Sequence, residues 1–180
     1  MKAHEATEKE VKGMGFENVV VIREGLYNES WPLYFGHYDV PGDERSEVPV
    51  AGDGKVSWTS IGDLGLANAL ILTDPIEKWS GRTFYLSQKK AYDLKEIAGM
   101  VSKAKGKEVR LKVMGREEHE RYYVEERKMP EGLVKWWSAT YDALEDGECE
   151  IDDLTLEELL ARKGAKPTQL EETVQKMLES

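Results

Sequence analysis

The chain has 180 residues, 40% of them apolar and 33% charged, and a net charge of −10. It is long enough for one domain with a real core, has no apolar run of membrane-spanning length, and lacks the basic face that phosphate neutralisation by a nucleic-acid binder requires. The charge is uneven: residues 1–114 hold 16 Lys and Arg against 17 Asp and Glu, and residues 115–180 hold 9 against 18. The last third therefore reads as an acidic, solvated set of helix faces. The start, MKAHEATEKEVKG, is polar and unlike a secretory signal. The single cysteine, Cys149, excludes an intramolecular disulfide and fits a reducing, cytoplasmic setting.

In chain order, residues 2–12 predict a helix stopped by Gly13-Met14-Gly15. Residues 18–23, with the apolar block Val19–Ile22, predict a strand buried on both faces of a parallel sheet. Residues 24–53 are rich in aromatics and glycine and read as a long binding loop, followed by a short strand at 54–58. Helical spacing follows over 62–72, alternation over 82–87, and a capping-box start at Asp93-Leu94-Lys95-Glu96 for a helix ending near Gly106. A last strand covers 108–113. Helices follow over 115–128 and 131–146, and after Thr155-Leu156-Glu157-Glu158 and Thr168-Gln169-Leu170-Glu171, both read as capping boxes. The alternation is an α/β signature with a thin sheet: one domain over 1–180, an α/β part at 1–114 and an acidic helical lobe at 115–180.

The segments HEATEKEVKGMG, VVVIREGLYNESW, VPVAGDGKVSWTSIGDLGLANALILT, RTFYLSQKKAYDLKEIAGMVSKAKGKEVRLKV and AKPTQLEETVQKML, in this order and spacing, resemble the C-terminal, substrate-side part of NmrA-like proteins. These are atypical short-chain dehydrogenase/reductases that include redox sensors and NAD(P)H-dependent reductases. The resemblance implies a truncated Rossmann-like domain with a thin, partly parallel sheet and a helical C-terminal lobe. Three departures stand out. The glycine-rich turn of the dinucleotide site is absent: neither Gly13-Met14-Gly15 nor Gly52-Asp53-Gly54 both follows a strand and opens a helix with a third glycine in place. The family's active-site lysine position falls on His4, and the usual Arg-Pro-Gly after the strand reads Arg23-Glu24-Gly25. The expectation is no resident cofactor, with NADP held only where another chain completes a site.

Candidate catalytic residues are His4, His37 and Tyr27. His4 and Glu8 lie one helical turn apart and could share a proton, and the resemblance turns His4 toward the reaction pocket. The aromatic run WPLYFGHYDV supplies Trp31, Tyr34, Phe35 and Tyr38 as substrate-binding candidates, joined by Trp58 and Trp137. Flat rings with polar tips suit a planar organic molecule, and equally suit a packed core or a subunit interface. Of the adjacent pair Trp136-Trp137, one is expected in the core and the other at a cleft or interface. His119 reads as a solvated helix residue, Asp63 as a first-turn helix residue, and Cys149, among carboxylates, as unreactive. No Cys/His cluster supports a metal, and no Gly-x-Ser-x-Gly elbow supports a serine hydrolase.

These features predict a protein that binds a small planar molecule without a dinucleotide site of its own, acting if at all as a cofactor-independent isomerase, lyase or cyclase by proton transfer. The alternatives are an NAD(P)H-dependent oxidoreductase, present as a fragment or with its site rebuilt by oligomerisation, and a protein-binding, redox-sensor-like regulator. A strand edge beside Val19–Ile22 predicts self-association. Membrane and nucleic-acid partners are not expected.

Overall fold

The computed structural model describes residues 2–40 and 42–179. Lys2–Gly13 form α1, and Gly15, with φ at 75°, takes the left-handed turn that ends it. The first strand, β1, is Val21–Glu24, and it pairs in parallel with β3, Thr83–Leu86, so that Val21 lies opposite Thr83 and Glu24 opposite Leu86. A second parallel pair joins β2, Glu47–Val50, to β4, Arg110–Val113. The expected thin sheet is therefore two separate two-stranded parallel sheets.

Two strand expectations change. β1 starts at Val21, and its apolar residues are half-buried rather than enclosed on both faces; among the described residues only one of its edges is paired. The stretch at 54–58 makes only isolated bridges, Val56 with Tyr92 and, just beyond it, Thr59 with Tyr27. The long loop at 24–53 contains structure: a four-residue helix α2 at Trp31–Tyr34, and β2 itself. Pro49 hid β2 in the sequence. The register sends the backbone of Ser46 and Val50 toward β4, so the missing N–H of Pro49 falls on the opposite edge, where it is tolerated.

The helices follow their spacing closely. α3 is Ile61–Thr73 and α4 is Leu94–Lys105, the latter opened by a full Asp93/Glu96 capping box and closed by Gly106 at φ 64°. α5, Arg116–Arg121, runs into a π-type turn at Tyr122–Glu126. The expected helix at 131–146 is broken at Ala139 into α6, Glu131–Ser138, and α7, Thr140–Glu145. α8 is Thr155–Ala161 and α9 is Leu170–Leu178. Neither threonine caps its helix. Asp153 accepts from the Thr155 N–H at 2.9 Å, and Thr168 donates its N–H and hydroxyl to Asp63 at 2.7 and 3.1 Å. Asp63 does sit in the first turn of α3, as expected, and there it pins the chain before α9.

Two apolar cores result. One gathers Trp31, Phe35, Trp58, Val101, Trp137, Tyr141 and Val174; the other joins α3 to β3 and α8 through Leu64, Ala67, Phe84, Leu86, Leu156 and Leu160. The acidic last third is thus shared between both cores, α8 on α3 and β3, and α9 on α4. Among the described residues no helix is long and apolar enough to cross a membrane.

Candidate functional site

Most of the expected aromatic binding surface is core. Trp31, Phe35, Trp58 and Trp137 are fully buried, and Tyr38 nearly so. Trp31, Phe35 and Tyr38 pack ring against ring at 5.5 to 5.7 Å. Tyr38 also lies under the Arg45 guanidinium, and burial pushes its phenol up to about 12. Trp58 donates its ring N–H to the Tyr92 carbonyl at 3.3 Å and meets the half-buried Tyr34 edge-on at 5.8 Å. Of the tryptophan pair, Trp137 is the enclosed member, whereas Trp136 is 61% exposed. Placing Trp137 at a cleft is therefore corrected: the 100° offset of neighbouring helical residues turns it inward and Trp136 outward.

The candidate catalytic residues occupy three settings. His37 is half-buried, meets Trp137 edge-on at 4.3 Å, and has its pKa lowered by burial and by Arg45. Its backbone, at φ 46°, is in the left-handed region that a non-glycine residue occupies only under tertiary constraint. His119, expected in solvent, is fully enclosed: it stacks against Tyr123 and Trp137, shares a hydrogen bond with Ser138 at 2.8 Å, and is held down to about 4 by burial. His4 is exposed on α1, and its expected partner Glu8 instead takes both side-chain hydrogen bonds from Arg23 at 2.8 Å. The Lys12 amine reaches Thr83 at 3.5 Å, so α1 runs antiparallel to β1 and puts His4 toward the carboxyl ends of β1 and β3.

Tyr27 is at that same end. Its hydroxyl donates to Glu24 at 3.2 Å, and the Glu24 carboxylate, followed by burial, raises the phenol pKa and keeps it protonated. Glu24 also accepts from Asn68 at 3.0 Å and stays exposed. Behind this pair is a buried polar seam that sequence reasoning missed. Asn28, Ser87 and Gln88 are buried, the amides of Asn28 and Gln88 both donate to the Thr168 carbonyl, and the Gln88 N–H donates to the Thr59 hydroxyl at 2.9 Å. The available signal was positional: each of these residues comes within a few positions of the end of a parallel strand, where open α/β sheets bind ligands. Among the described residues, Asn28 Oδ1, Ser87 Oγ and Gln88 Oε1 have no hydrogen-bond partner. Gly25 is needed for the close approach of β1 to this seam, since a Cβ there would meet Ser87 Oγ at 2.3 Å and the Ser57 carbonyl at 3.0 Å. Gly25→Ala is expected to cost about 1–3 kcal/mol by chemical denaturation, and adding Ser87→Gly should recover part of it.

The starts of α3 and α4 do not fit a dinucleotide pyrophosphate. Such a group needs free N–H donors at a helix N-terminus after a strand. At α3 those donors go to Glu29 and Ser60, and at α4 to Asp53 and Asp93. Both helix starts are already filled, and largely by carboxylates that repel phosphate. Among the described residues no group of His, Cys, Asp and Glu could hold a metal ion.

No family model matches the chain. A curated relative from Aspergillus flavus, the NmrA-like family domain-containing oxidoreductase flvB, is 26% identical over 176 residues, covering 92% of this chain and 52% of that protein. The chain is similar to NmrA-like proteins. Prestalk A differentiation protein A of Dictyostelium discoideum is 30% identical over 115 residues, 63% of this chain and 36% of that protein. The chain thus spans about half or less of the curated relatives it matches. Among solved structures, the Citrobacter sp. triphenylmethane reductase, also determined with NADP(H), superposes with a TM-score of 0.76 at 25% identity, over 98% of this chain and 58% of the other. NmrA, a negative transcriptional regulator solved with NAD, shares the fold at a TM-score of 0.61 and 16% identity, over 96% of this chain and 56% of its own. The Rossmann-like α/β character of the chain follows from these neighbours and from its parallel strand pairs.

Proposed function

We propose that this chain is the substrate-side part of an NmrA-like NAD(P)H-dependent oxidoreductase, binding a planar, conjugated organic molecule at the carboxyl ends of β1 and β3. The observation that carries this reading is the Glu24–Tyr27 pair, an exposed carboxylate joined to a protonated phenol above the buried Ser87–Gln88–Asn28 seam. Glu24 suits a delocalised cation, and the Tyr27 phenol can turn from Glu24 to donate to an acceptor on the ligand. The similarity to a triphenylmethane reductase supports the ligand class, and the filled starts of α3 and α4 support a dinucleotide held elsewhere than at those two helices. His4, at the same end of the sheet, is the further group available for proton exchange with bound ligand, and His37, packed on Trp137, is assigned to the fold.

A cationic triphenylmethane dye tests this reading by fluorescence titration of the wild-type chain and of Glu24→Gln. The variant should bind about 2- to 5-fold more weakly, with the difference shrinking as salt is raised. Equal affinity of the two proteins at low salt would overturn the placement of the ligand beside Glu24.

A further inference from the structure

Hydrogen-bond donors and acceptors are out of balance in the seam behind Glu24 and Tyr27. The Asn28 amide gives its N–H groups to the Thr168 carbonyl and the Thr173 hydroxyl, both at 3.2 Å, and the Gln88 amide donates to the same carbonyl at 3.1 Å. A carbonyl only accepts, so both amides must turn a nitrogen toward Thr168, and their oxygens are the free ends. Those oxygens, Asn28 Oδ1 and Gln88 Oε1, are enclosed and meet no donor among the described residues, and the same holds for Ser87 Oγ. One residue further on, the Lys89 N–H goes to Glu157 Oε1 at 2.7 Å, while Glu157 Oε2 is enclosed without a partner among the described residues. The neighbouring backbone donors are already engaged: the Asn28 N–H on the Thr59 carbonyl, the Thr59 N–H on the Leu26 carbonyl, and the Gln88 N–H on the Thr59 hydroxyl.

The surplus is therefore one of acceptors, and an enclosed acceptor left unmade is costly until a donor arrives. It also lies against the ligand face. The position that a Cβ would take at Gly25 is 2.3 Å from Ser87 Oγ, so this hydroxyl rests on the backbone of the turn that carries Glu24 and Tyr27. Charge points the same way. Glu24 is exposed on that turn, and Glu157 stands beside Gln88 through its bond to Lys89, whose own amine pairs with Asp152 at 2.6 Å. A fully alkylated cationic nitrogen would answer the charge and leave every one of these oxygens unmade. A nitrogen that keeps its hydrogens answers both.

We propose that the ligand of this site is a conjugated cation bearing unsubstituted amino groups, whose N–H bonds are donated to the oxygens of Ser87, Gln88 and Asn28. The inference rests on the ligand reading above and adds the property which that reading leaves open, the substitution of the cationic nitrogen. Ser87, Gln88 and Asn28 are then the residues that set specificity, while Glu24 supplies the attraction common to all such cations.

Two triphenylmethane dyes provide the test: pararosaniline, whose amino groups are all unsubstituted, and crystal violet, the same carbocation with every amino hydrogen replaced by methyl. Fluorescence titration of the wild-type chain should show pararosaniline binding at least about 10-fold more tightly. Ser87→Ala deletes an oxygen that bonds to nothing among the described residues, so the variant should keep its cooperative melt. It should weaken pararosaniline by about 3- to 10-fold and leave crystal violet unchanged. In the wild type, the side-chain amide signals of Asn28 and Gln88 should shift with pararosaniline and not with crystal violet. Equal affinity for the two dyes would overturn the inference; where Glu24→Gln still weakens both, the ligand reading stands without it. A preference that Ser87→Ala removes by improving crystal violet alone would also overturn it, because space rather than hydrogen bonding would then set the choice. Failure of both dyes to bind removes the ligand reading and this inference with it.

Discussion

Trp137→Ala is expected to destabilise the chain by about 3–5 kcal/mol, the range for removing a fully buried aromatic. For a chain of this size that lowers the melting temperature by roughly 10 °C. The reason is the density of rings around it: His37 at 4.3 Å, His119 at 4.7 Å, Tyr123 at 4.8 Å and Tyr141 at 5.7 Å. Truncation opens a void that backbone on three elements must close, since those four rings come from the loop after α2, from α5 and its π-turn, and from α7. Trp136→Ala is the matched control and should change stability by less than about 0.5 kcal/mol, because that ring is already in solvent. Thermal melts of the two variants side by side decide the matter. Equal losses would mean that Trp137 is not the hub of this core.

The second large effect is acid lability. His119 has an ordinary pKa of 6.5 and is held at about 4 in the folded chain, chiefly by burial, with Glu120 pulling upward and His37 downward. Because the folded value is the lower one, the unfolded chain takes up the proton first as pH falls. The stabilisation is intact above pH 6.5, declines between pH 6.5 and 4, and is fully lost below the folded value. The expected loss across that window is about 2–3 kcal/mol. His37, also lowered by burial, adds to the same slope. The carboxylate of Asp43, which burial would raise but the hydrogen bonds from Arg45 hold at about 2, loses its contribution below this window. Denaturant midpoints at pH 7 and pH 4.5 should therefore differ much less in His119→Phe than in the wild type. An unchanged pH slope in that variant would show that the histidine is not the buried proton acceptor.

What the sequence revealed and what it hid follow from where the information resides. Helices with an intact start and stop were legible: α1 before its glycines, α3 by spacing, and α4 by the Asp93/Glu96 box and Gly106. Those boundaries are local chemistry. β2 was not, because Pro49 disguised it, and only a parallel partner 63 positions later makes that segment a strand. The threonines at 155 and 168 matched a capping pattern, yet Asp153, two positions earlier, and Asp63, 105 positions away, took their N–H groups. The aromatic run after β1 was conspicuous, but composition does not say which side of a ring faces solvent, so core and cleft could not be told apart. Among the candidate residues, Tyr27 finds its hydrogen-bond partner in Glu24, three positions away and visible in sequence, whereas the seam of Asn28, Ser87 and Gln88 exists only because two parallel strands end side by side.

The most direct test of the account is amide NMR of the chain titrated in turn with a cationic triphenylmethane dye and with NADPH. The account predicts dye-dependent shifts confined to Glu24–Asn28 and Ser87–Gln88, with no NADPH-dependent change at the starts of α3 and α4. NADPH-dependent shifts at Ile61–Gly62 or Leu94–Glu96, with none at Glu24–Asn28 on adding dye, would contradict it.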